Sequence, residues 1–161
     1  MSANSTMSPV DDSPLLKVEN LVKYHTSNAG TVRAVDNVSF EVAAGETLGL
    51  VGESGCGKST LGRTVLRLHE PDDGKLVFQS RDISHLSRNE LRPLRRQFQM
   101  VFQDPFGSLN PRRTVGQILD EPLSVYCIGS RADRRSRVAE LIAIVGLHAD
   151  HASRFPHELS G

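Results

Sequence analysis

The stretch Gly52–Ser59 restricts the fold of this chain more than any other part of its sequence. Its residues, GESGCGKS, fit the pattern G-x-x-x-x-G-K-[ST]. An apolar run at Thr47–Val51 precedes the pattern, and helical spacing of apolar residues follows it from Gly57 to Leu68. A buried parallel strand that ends in a glycine-rich loop and continues as a helix is typical of phosphate-binding loops. The sequence therefore predicts an α/β fold.

The residue types in this loop suit the chemistry of phosphate binding. Glycines let successive backbone N–H groups point into one concavity, and the N-terminus of the following helix adds positive potential. Lys58 would reach the β- and γ-phosphates of a nucleotide, and the Ser59 hydroxyl would ligate Mg²⁺. The alternative is a chance glycine-rich turn, which the flanking strand and helix patterns disfavour. The predicted phosphate-binding residues are Gly52, Ser54, Gly55, Cys56, Gly57, Lys58, Ser59 and Thr60.

Composition narrows the class of protein. The 161 residues are 38% hydrophobic, as in a packed globular chain, and 19 basic residues balance 19 acidic ones, so net charge attracts neither nucleic acid nor anionic membranes. No apolar run approaches the roughly 18 residues of a membrane span. Residues 1–14 lack the features of a secretory signal and are expected to be a disordered tail, which leaves the cytoplasm as the default location. Cys56 and Cys127 form no C-x-x-C pair and are expected to be reduced.

Short apolar runs outside the loop are predicted to be strands. One covers Leu16–Asn20, and in Val38–Val42 apolar and polar residues alternate as on a half-exposed antiparallel strand. Two more are predicted at Lys75–Phe78 and Phe98–Phe102. The helix after the loop is expected to direct three side chains inward, those of Leu61, Val65 and Leu68.

Capping-box spacing marks three helix starts, at Ser87 with Glu90, Thr114 with Gln117, and Ser130 with Asp133. The first lies between two predicted strands, and after Pro111 the sequence becomes helical. The helix after Ser130 is expected to carry one apolar stripe before Gly146, made of Val138, Leu141, Ile142 and Val145. The chain is therefore divided into a tail at 1–14, a core with the phosphate-binding loop at 15–111, and a helical subdomain at 112–161.

Three segments connect these predictions to a known family. They read GETLGLVGESGCGKST, QMVFQDPFGSLNPRRTVGQILDEPL and RFPHELSG. Through them the chain from Leu16 onward resembles the ATP-binding subunits of ABC transporters. The middle segment, with its S-L-N-P-R and E-P-L elements, is similar to the oligopeptide and dipeptide (peptide/nickel) importer branch in particular. The resemblance implies a P-loop NTPase fold with an antiparallel β subdomain, a parallel core and a helical subdomain.

The resemblance also implies a function and partners. Such a subunit binds ATP and Mg²⁺ and couples ATP hydrolysis to uptake of oligopeptides or dipeptides. It pairs with a second nucleotide-binding subunit and two transmembrane permeases at the cytoplasmic face of the inner membrane, and indirectly with an extracytoplasmic solute-binding protein, but not with nucleic acid. Nickel, glutathione or another small solute is the alternative cargo. A non-transport ABC ATPase and a catalytically inactive nucleotide-binding fragment are the alternatives in other classes.

By the same resemblance, residues outside the loop belong to the nucleotide site. Gln103 matches the glutamine that contacts Mg²⁺ and the attacking water, and so joins the loop lysine as a catalytic residue. Ser160 and Gly161 begin the signature motif L-S-G-G-Q, which caps the ATP bound by the opposite subunit. An aromatic ring stacks on adenine in this family. The usual spacing selects His25 for that role, whereas the aromatic ring itself is one residue earlier, at Tyr24, and both remain candidates.

Several family motifs have no counterpart in this sequence. They are the rest of the signature, the Walker B aspartate, the catalytic glutamate and the switch histidine, so the resemblance implies that the C-terminal half of the fold is missing. We expect apolar surface to be exposed where the Walker B strand would pack. We also expect this chain alone to bind ATP without turning it over, and we interpret it as a truncated or partial gene product.

Two further features receive ordinary structural interpretations. His148, His151 and His157 lie in a loop-like stretch without cysteines and are not predicted to bind metal. The arginines within 92–96 and 131–137 lie on or near helices whose other faces are apolar, and no aromatic residues are interleaved with them. They are predicted to be solvated rather than to contact nucleic acid.

Overall fold

Two compact units make up the chain, Met1–Met100 and Val101–Gly161. The computed structural model describes residues 13–27, 30–104 and 107–159. Most of the predicted tail therefore lies outside the described residues. The sequence-based division after residue 111 falls later in the chain than the boundary between the two units, and that domain assignment stays a prediction.

The first unit is built on a four-stranded antiparallel sheet in the order β2-β1-β3-β4. Val18 of the central β1 pairs with Phe40 on one side and with Leu76 on the other. The strands predicted at Leu16–Asn20, Val38–Val42 and Lys75–Phe78 are confirmed, and all three extend beyond their predicted limits. The strands are β1 (Leu16–Ser27), β2 (Gly30–Val42), β3 (Asp73–Phe78) and β4 (Arg81–Asp82).

Apolar side chains of the sheet, together with four that lie outside it, form the core of this unit. The predicted alternation holds in the second half of β2, where Val38 and Phe40 are half-buried and Ser39 and Glu41 are exposed. Burial of one such aliphatic or aromatic side chain stabilises a fold by roughly 1.5–3 kcal/mol. The buried core residues are Val18, Leu21, Val35, Leu61, Leu76, Phe78, Ile83, Leu91 and Leu94.

Two predicted strands are absent from the described structure. Thr47–Val51 and Phe98–Phe102 pair with no strand, and Val51 and Val101 are 94% and 95% exposed. A strand requires a neighbour that satisfies its backbone N–H and C=O groups. Within residues 13–27, 30–104 and 107–159 neither segment has one. The prediction of strands there is wrong for this part of the chain, and apolar side chains of both segments are exposed.

The helix after the glycine-rich loop, α1 (Lys58–Val65), is shorter than predicted. Leu61 is buried and Val65 packs against the core, as expected, but Leu68 is 51% exposed. The helix ends before Leu68, and the backbone turns at Arg67, which has a positive φ of 53°. This turn brings the side chain of Arg67 into the interior instead, where it is only 7% exposed.

All three predicted capping boxes are present. In each, the side chain of the N-cap residue accepts a hydrogen bond from the backbone N–H three residues later, and the side chain of that later residue accepts one in return. An N-cap of this kind contributes about 1 kcal/mol. The helices that begin at these boxes are α2 (Arg88–Leu91), α3 (Val115–Val125) and α4 (Arg131–Ile144).

The second unit contains α3, α4 and two 3-10 helices, Ala149–Ser153 and Pro156–Glu158. Val138 and Ile142 of the predicted stripe on α4 are buried, but Val145 is 67% exposed. Val145 is the C-cap of α4, and the chain leaves the helical path there. In the portion of the chain that the structure describes, no helix combines the length and apolar character needed to cross a membrane.

Candidate functional site

The candidate site is the P-loop, residues 52–60, which joins the exposed segment 47–51 to α1. Gly55 and Gly57 have positive φ angles of 82° and 96°, a region that glycine enters without steric cost. The amide of Cys56 donates to the carbonyl oxygen of Glu53 over 3.3 Å, and the amide of Leu61 donates to Gly57 over 2.8 Å. The loop thus turns back on itself and passes directly into the first turn of α1.

The space around the loop requires glycine at position 57 and is restricted at position 52. A Cβ atom on Gly57 would lie 1.9 Å from the carbonyl oxygen of Ala34 in β2, and one on Gly52 would lie 2.8 Å from the Sγ atom of Cys56. Gly57 is also the N-cap of α1. Its close approach to Ala34 therefore fixes the start of α1 against β2, the edge strand of the sheet.

The side chain of Lys58 curls over the first half of the loop. Its Nζ atom donates to the carbonyl oxygens of Gly52 and Glu53 over 2.7 and 2.6 Å, and it lies 3.5 Å from the Sγ atom of Cys56. The ammonium group is thus held at the loop by neutral acceptors. A phosphate would offer anionic oxygens, which form stronger hydrogen bonds with an ammonium group than neutral carbonyl groups do.

The start of α1 is electrostatically suited to an anion. Its first turn contains no acidic residue, so nothing there offsets the partial positive charge of the helix N-terminus. Ser59 is exposed, and Thr60 is half-buried with its carbonyl oxygen accepting a 2.7 Å hydrogen bond from Oγ1 of Thr64. The Ser59 hydroxyl is consequently accessible for a ligand.

A cavity of about 370 Å³ opens beside the loop. This cavity, which we call the P-loop pocket, has the volume of a small-ligand site. It combines an apolar wall with one carboxylate and two cationic side chains. Its lining consists of Arg33, Ala34, Val35, Asp36, Val38, Leu50, Val51, Cys56, Gly57, Lys58 and Leu61.

The side chain of Tyr24, one candidate for stacking on adenine, already has partners. Its hydroxyl donates to Oδ1 of Asp36 over 2.7 Å, and the Arg33 guanidinium lies 5.5 Å from the ring centroid. The hydrogen bond to Asp36 is the main cause of the raised pKa of Tyr24. Arg33 and Asp36 line the P-loop pocket, whereas Tyr24 does not. Because a cation lies over one face of this ring, a base would have to stack on the other face.

His25, the second stacking candidate, is exposed. Its ring meets the ring of His69 edge to face, with 5.8 Å between centroids. Burial is the main cause of the lowered pKa of His69, and the nearby charge of His25 adds to it. His25 does not line the P-loop pocket either. The assignment of the adenine-stacking residue to Tyr24 or His25 therefore stays a prediction.

The other predicted site residues lie in the second unit or beyond the described residues. Gln103 is exposed and follows the half-exposed ring of Phe102. Ser160 and Gly161, the predicted start of the signature motif, lie outside the described residues. Their roles and that of Gln103 remain predictions.

Sequence reasoning missed the contribution of β2 to the site. Arg33, Ala34 and Asp36 line the P-loop pocket, yet none belongs to the glycine-rich pattern. The alternation at Val38–Val42 predicts a strand, but it does not predict which segment that strand will touch. The contact between β2 and the loop depends on how the sheet is assembled.

Comparison with known proteins identifies the family. The sequence model of the ABC transporter family matches residues 35–161. The oligopeptide transport ATP-binding protein AppF of Bacillus subtilis is 47% identical over 163 residues, which cover 96% of this chain and 50% of that protein. A probable peptide ABC transporter ATP-binding protein of Sinorhizobium fredii is 51% identical over 154 residues, which cover 91% of this chain and 44% of that protein.

Solved structures give the same result for the fold. The ATP-binding cassette MJ0796, in a dimeric post-hydrolysis state bound to ADP and Pi, matches with a TM-score of 0.76 and 27% identity. The match covers 90% of this chain and 63% of that one. CbiO1 of Clostridium perfringens, part of an ABC transporter complex, matches with a TM-score of 0.70 and 28% identity, over 92% of this chain and 57% of that one.

The chain spans about half the length of the curated relatives it matches. The solved neighbours are ABC cassettes with the predicted P-loop NTPase fold. The recognition made from the three sequence segments is thereby confirmed. This chain belongs to the ABC transporter family, as part of an ATP-binding cassette.

Proposed function

We propose that this chain is the nucleotide-binding part of an ATPase subunit that powers peptide import. The observation that carries the proposal is the P-loop, in which the Lys58 ammonium lies within a glycine-rich turn at the start of α1. Peptide is proposed as the cargo because the relatives are named as oligopeptide transport and peptide import ATP-binding proteins. The reaction is hydrolysis of ATP, coupled to uptake.

The residues of the chain have distinct tasks in this proposal. The backbone N–H groups of residues 52–60 and the N-terminus of α1 bind the phosphates, and Lys58 neutralises charge on the β- and γ-phosphates. Tyr24 or His25 stacks on the adenine. Gln103 orients the attacking water. The Ser59 hydroxyl and the Gln103 side chain are the groups that would hold Mg²⁺, which would offset negative charge on the phosphates.

The proposed assembly follows from the same family. The subunit pairs with a second ATP-binding subunit, whose bound nucleotide Ser160 and Gly161 help to cap, and the pair works beneath two transmembrane permeases at the cytoplasmic face of the membrane. The dimeric state of the MJ0796 cassette supports the pairing. An extracytoplasmic solute-binding protein delivers the cargo to the permeases.

Calorimetry with Mg-ATP tests the nucleotide site. Lys58→Ala removes a charged hydrogen-bond donor to phosphate, a contact worth about 1.5–3 kcal/mol, so binding should weaken about tenfold or more. Lys75→Ala is the matched control, because Lys75 is an exposed lysine on β3 outside the P-loop pocket. Equal affinities of the unmodified chain and Lys58→Ala would contradict the assigned site.

The two cysteines give a second test within one molecule. Both thiols are free and exposed, but only Cys56 lies in the P-loop. Saturating Mg-ATP should slow alkylation of Cys56 by a maleimide and leave Cys127 unchanged, because bound phosphate would cover the loop. Mass spectrometry after timed quenching measures both sites. Unchanged labelling of Cys56 at saturating ATP would mean that the loop does not enclose the nucleotide.

A further inference from the structure

Two arginines hold the C-terminal end of α1, the helix that begins with the P-loop lysine. Arg95, in the 3-10 helix Leu94–Arg96, donates from Nη2 to the carbonyl oxygen of Arg67 over 2.7 Å and from Nη1 to that of Leu66. Leu66 is the C-cap of α1 and Arg67 follows it, at the helix end where carbonyl groups lack intrahelical partners and carry partial negative charge. Arg95 therefore acts as a charged cap on α1.

Arg67 extends this attachment into the interior. Its guanidinium donates from Nε to the carbonyl oxygen of Ile83 over 2.9 Å and from Nη2 to that of Leu86 over 3.0 Å. It is 7% exposed, and its Nη1 atom has no acceptor among the described residues. Arg67 thus ties the end of α1 to the connection between β4 and α2.

Arg95 is itself fixed against the sheet. Its guanidinium lies over the ring of Phe98, 5.3 Å from the centroid, and that ring meets Phe78 of β3 edge to face at 5.2 Å. The chain of contacts runs from α1 through Arg95 and Phe98 to the sheet. The far end of α1 is therefore attached to the same sheet that Gly57 touches at the near end.

We infer that Arg67 and Arg95 are positioning residues for nucleotide binding at the P-loop, an inference that rests on the proposed function. An α-helix of eight residues is a rigid rod about 12 Å long. Lys58 is the first residue of this rod, and the two arginines hold its other end. A change in tilt at the arginines is transmitted to Lys58 and Ser59, although neither arginine touches the loop.

The chemistry of Arg67 fits a positioning role better than a purely stabilising one. Burial lowers the pKa of Arg67, and the nearby charge of Glu70 opposes this shift. In addition, a buried donor without an acceptor is destabilising. Arginine nevertheless supplies two donors in a fixed planar fork that reach Ile83 and Leu86 together. Lysine keeps the charge but has no such fork.

The test uses the 161-residue chain with Arg67→Lys, Arg95→Lys and both together. Arg63→Lys is the control, because Arg63 lies on α1 with an exposed side chain. Calorimetry gives the Kd for Mg-ATP, the rate of Cys56 alkylation without nucleotide reports loop geometry, and thermal melting reports stability. Cys127 is the internal reference for alkylation.

Each arginine variant should raise the Kd about fivefold or more, as small displacements of binding groups do, while Arg63→Lys leaves it unchanged. In the arginine variants the rate of Cys56 alkylation, relative to that of Cys127, should change about twofold or more. The double variant should raise the Kd by less than the product of the two single increases, because both arginines hold the same end of the helix.

A lower melting temperature with unchanged Kd and unchanged Cys56 rate would overturn the inference, because the arginines would then be structural only. The inference would also be overturned if Arg63→Lys changed the Kd and the Cys56 alkylation rate as much as the other two substitutions do. If Arg67→Lys does not fold, Arg95→Lys carries the same test. If the unmodified chain does not bind Mg-ATP, the proposed function fails, whereas the Cys56 rate still decides whether the arginines position the loop.

Discussion

The antiparallel sheet and the segment that leads into the P-loop contain similar residues in different surroundings. Leu21 and Leu76 of the sheet have no exposed surface, whereas Leu50 and Val51 before the loop are 51% and 94% exposed. Every strand of the sheet has a hydrogen-bonded neighbour, and segment 47–51 has none in the described parts of the chain. An apolar run with β propensity becomes a strand only where a second strand satisfies its backbone.

The P-loop nevertheless has a defined course next to this unpaired segment. Its shape depends on contacts of a few residues: the turn from Glu53 to Cys56, the Lys58 hydrogen bonds, and the approach of Gly57 to Ala34. The sheet therefore depends on extensive burial, whereas the loop depends on a few contacts that single substitutions can remove. This contrast gives matched experiments in each region.

The largest expected effect separates the sheet from the segment before the loop. Leu21→Ala should lower the free energy of unfolding by about 2–5 kcal/mol, because it leaves a cavity in the core. Leu50→Ala makes the same chemical change at a half-exposed position and should alter it by about 0.5 kcal/mol or less. Urea unfolding of both variants measures the difference. Equal losses would mean that Leu50 is buried as in a formed strand.

The next effect concerns the point where the loop touches the sheet. Gly57→Ala places a Cβ atom at a positive φ of 96° and 1.9 Å from the Ala34 oxygen. It should lower the free energy of unfolding by about 2 kcal/mol or more. Gly45→Ala has a similar φ of 78° but open space around its Cβ, and should cost only about 1 kcal/mol. Urea unfolding measures both losses. Similar losses in the two would show that backbone strain, not the contact with β2, requires glycine at position 57.

A smaller effect extends the comparison to the second unit, where helix starts depend on local hydrogen bonds. Thr114→Ala removes the acceptor for the Gln117 amide and should cost about 1 kcal/mol. Ser136→Ala, at an exposed position within α4, should cost nothing, since alanine is the better helix former there. Thermal melting followed by circular dichroism, which reports helix content, measures the effect of each substitution. Equal melting temperatures for the two variants would contradict a role of this capping box in stability.

The smallest expected effect depends on pH. Oδ1 of Asp72 accepts from Nζ of Lys23 over 2.8 Å, and Oδ2 accepts from the backbone amide of Tyr24 over 2.6 Å. These bonds, that to Lys23 first, lower the pKa of Asp72 below its ordinary value of 3.8. Because the folded pKa is the lower one, the contribution to stability is present above about pH 4 and is lost as the pH falls through the folded pKa.

Asp72→Asn should therefore lower the melting temperature at pH 7 and progressively less as the pH falls below 4. Asp73→Asn is the control, because the Asp73 side chain bonds only the adjacent Gly74 amide among the contacts described. Melting temperatures across this range test the expectation. A difference between Asp72→Asn and the unmodified chain that stays constant with pH would contradict the ionic contribution of the carboxylate.

The sequence by itself determined the features that are complete within a short window. The glycine-rich loop with its following helix, the three capping boxes and the alternation in Val38–Val42 were all predictable, because their hydrogen bonds and side-chain directions involve residues a few positions apart. The family resemblance was equally visible, because it rests on contiguous motifs. The roles of Gln103, Ser160 and the stacking residue remain predictions.

Only the tertiary structure decided which of these elements meet. Leu68 was predicted to be inside and is exposed, whereas Arg67 is buried because carbonyl oxygens of Ile83 and Leu86 accept its hydrogen bonds. Segment 47–51 is apolar yet unpaired, and β2 contributes Ala34 to the surroundings of the loop. Burial and pairing depend on contacts between residues that are distant in sequence. No local pattern specifies those contacts, which form only when the sheet and α1 pack together.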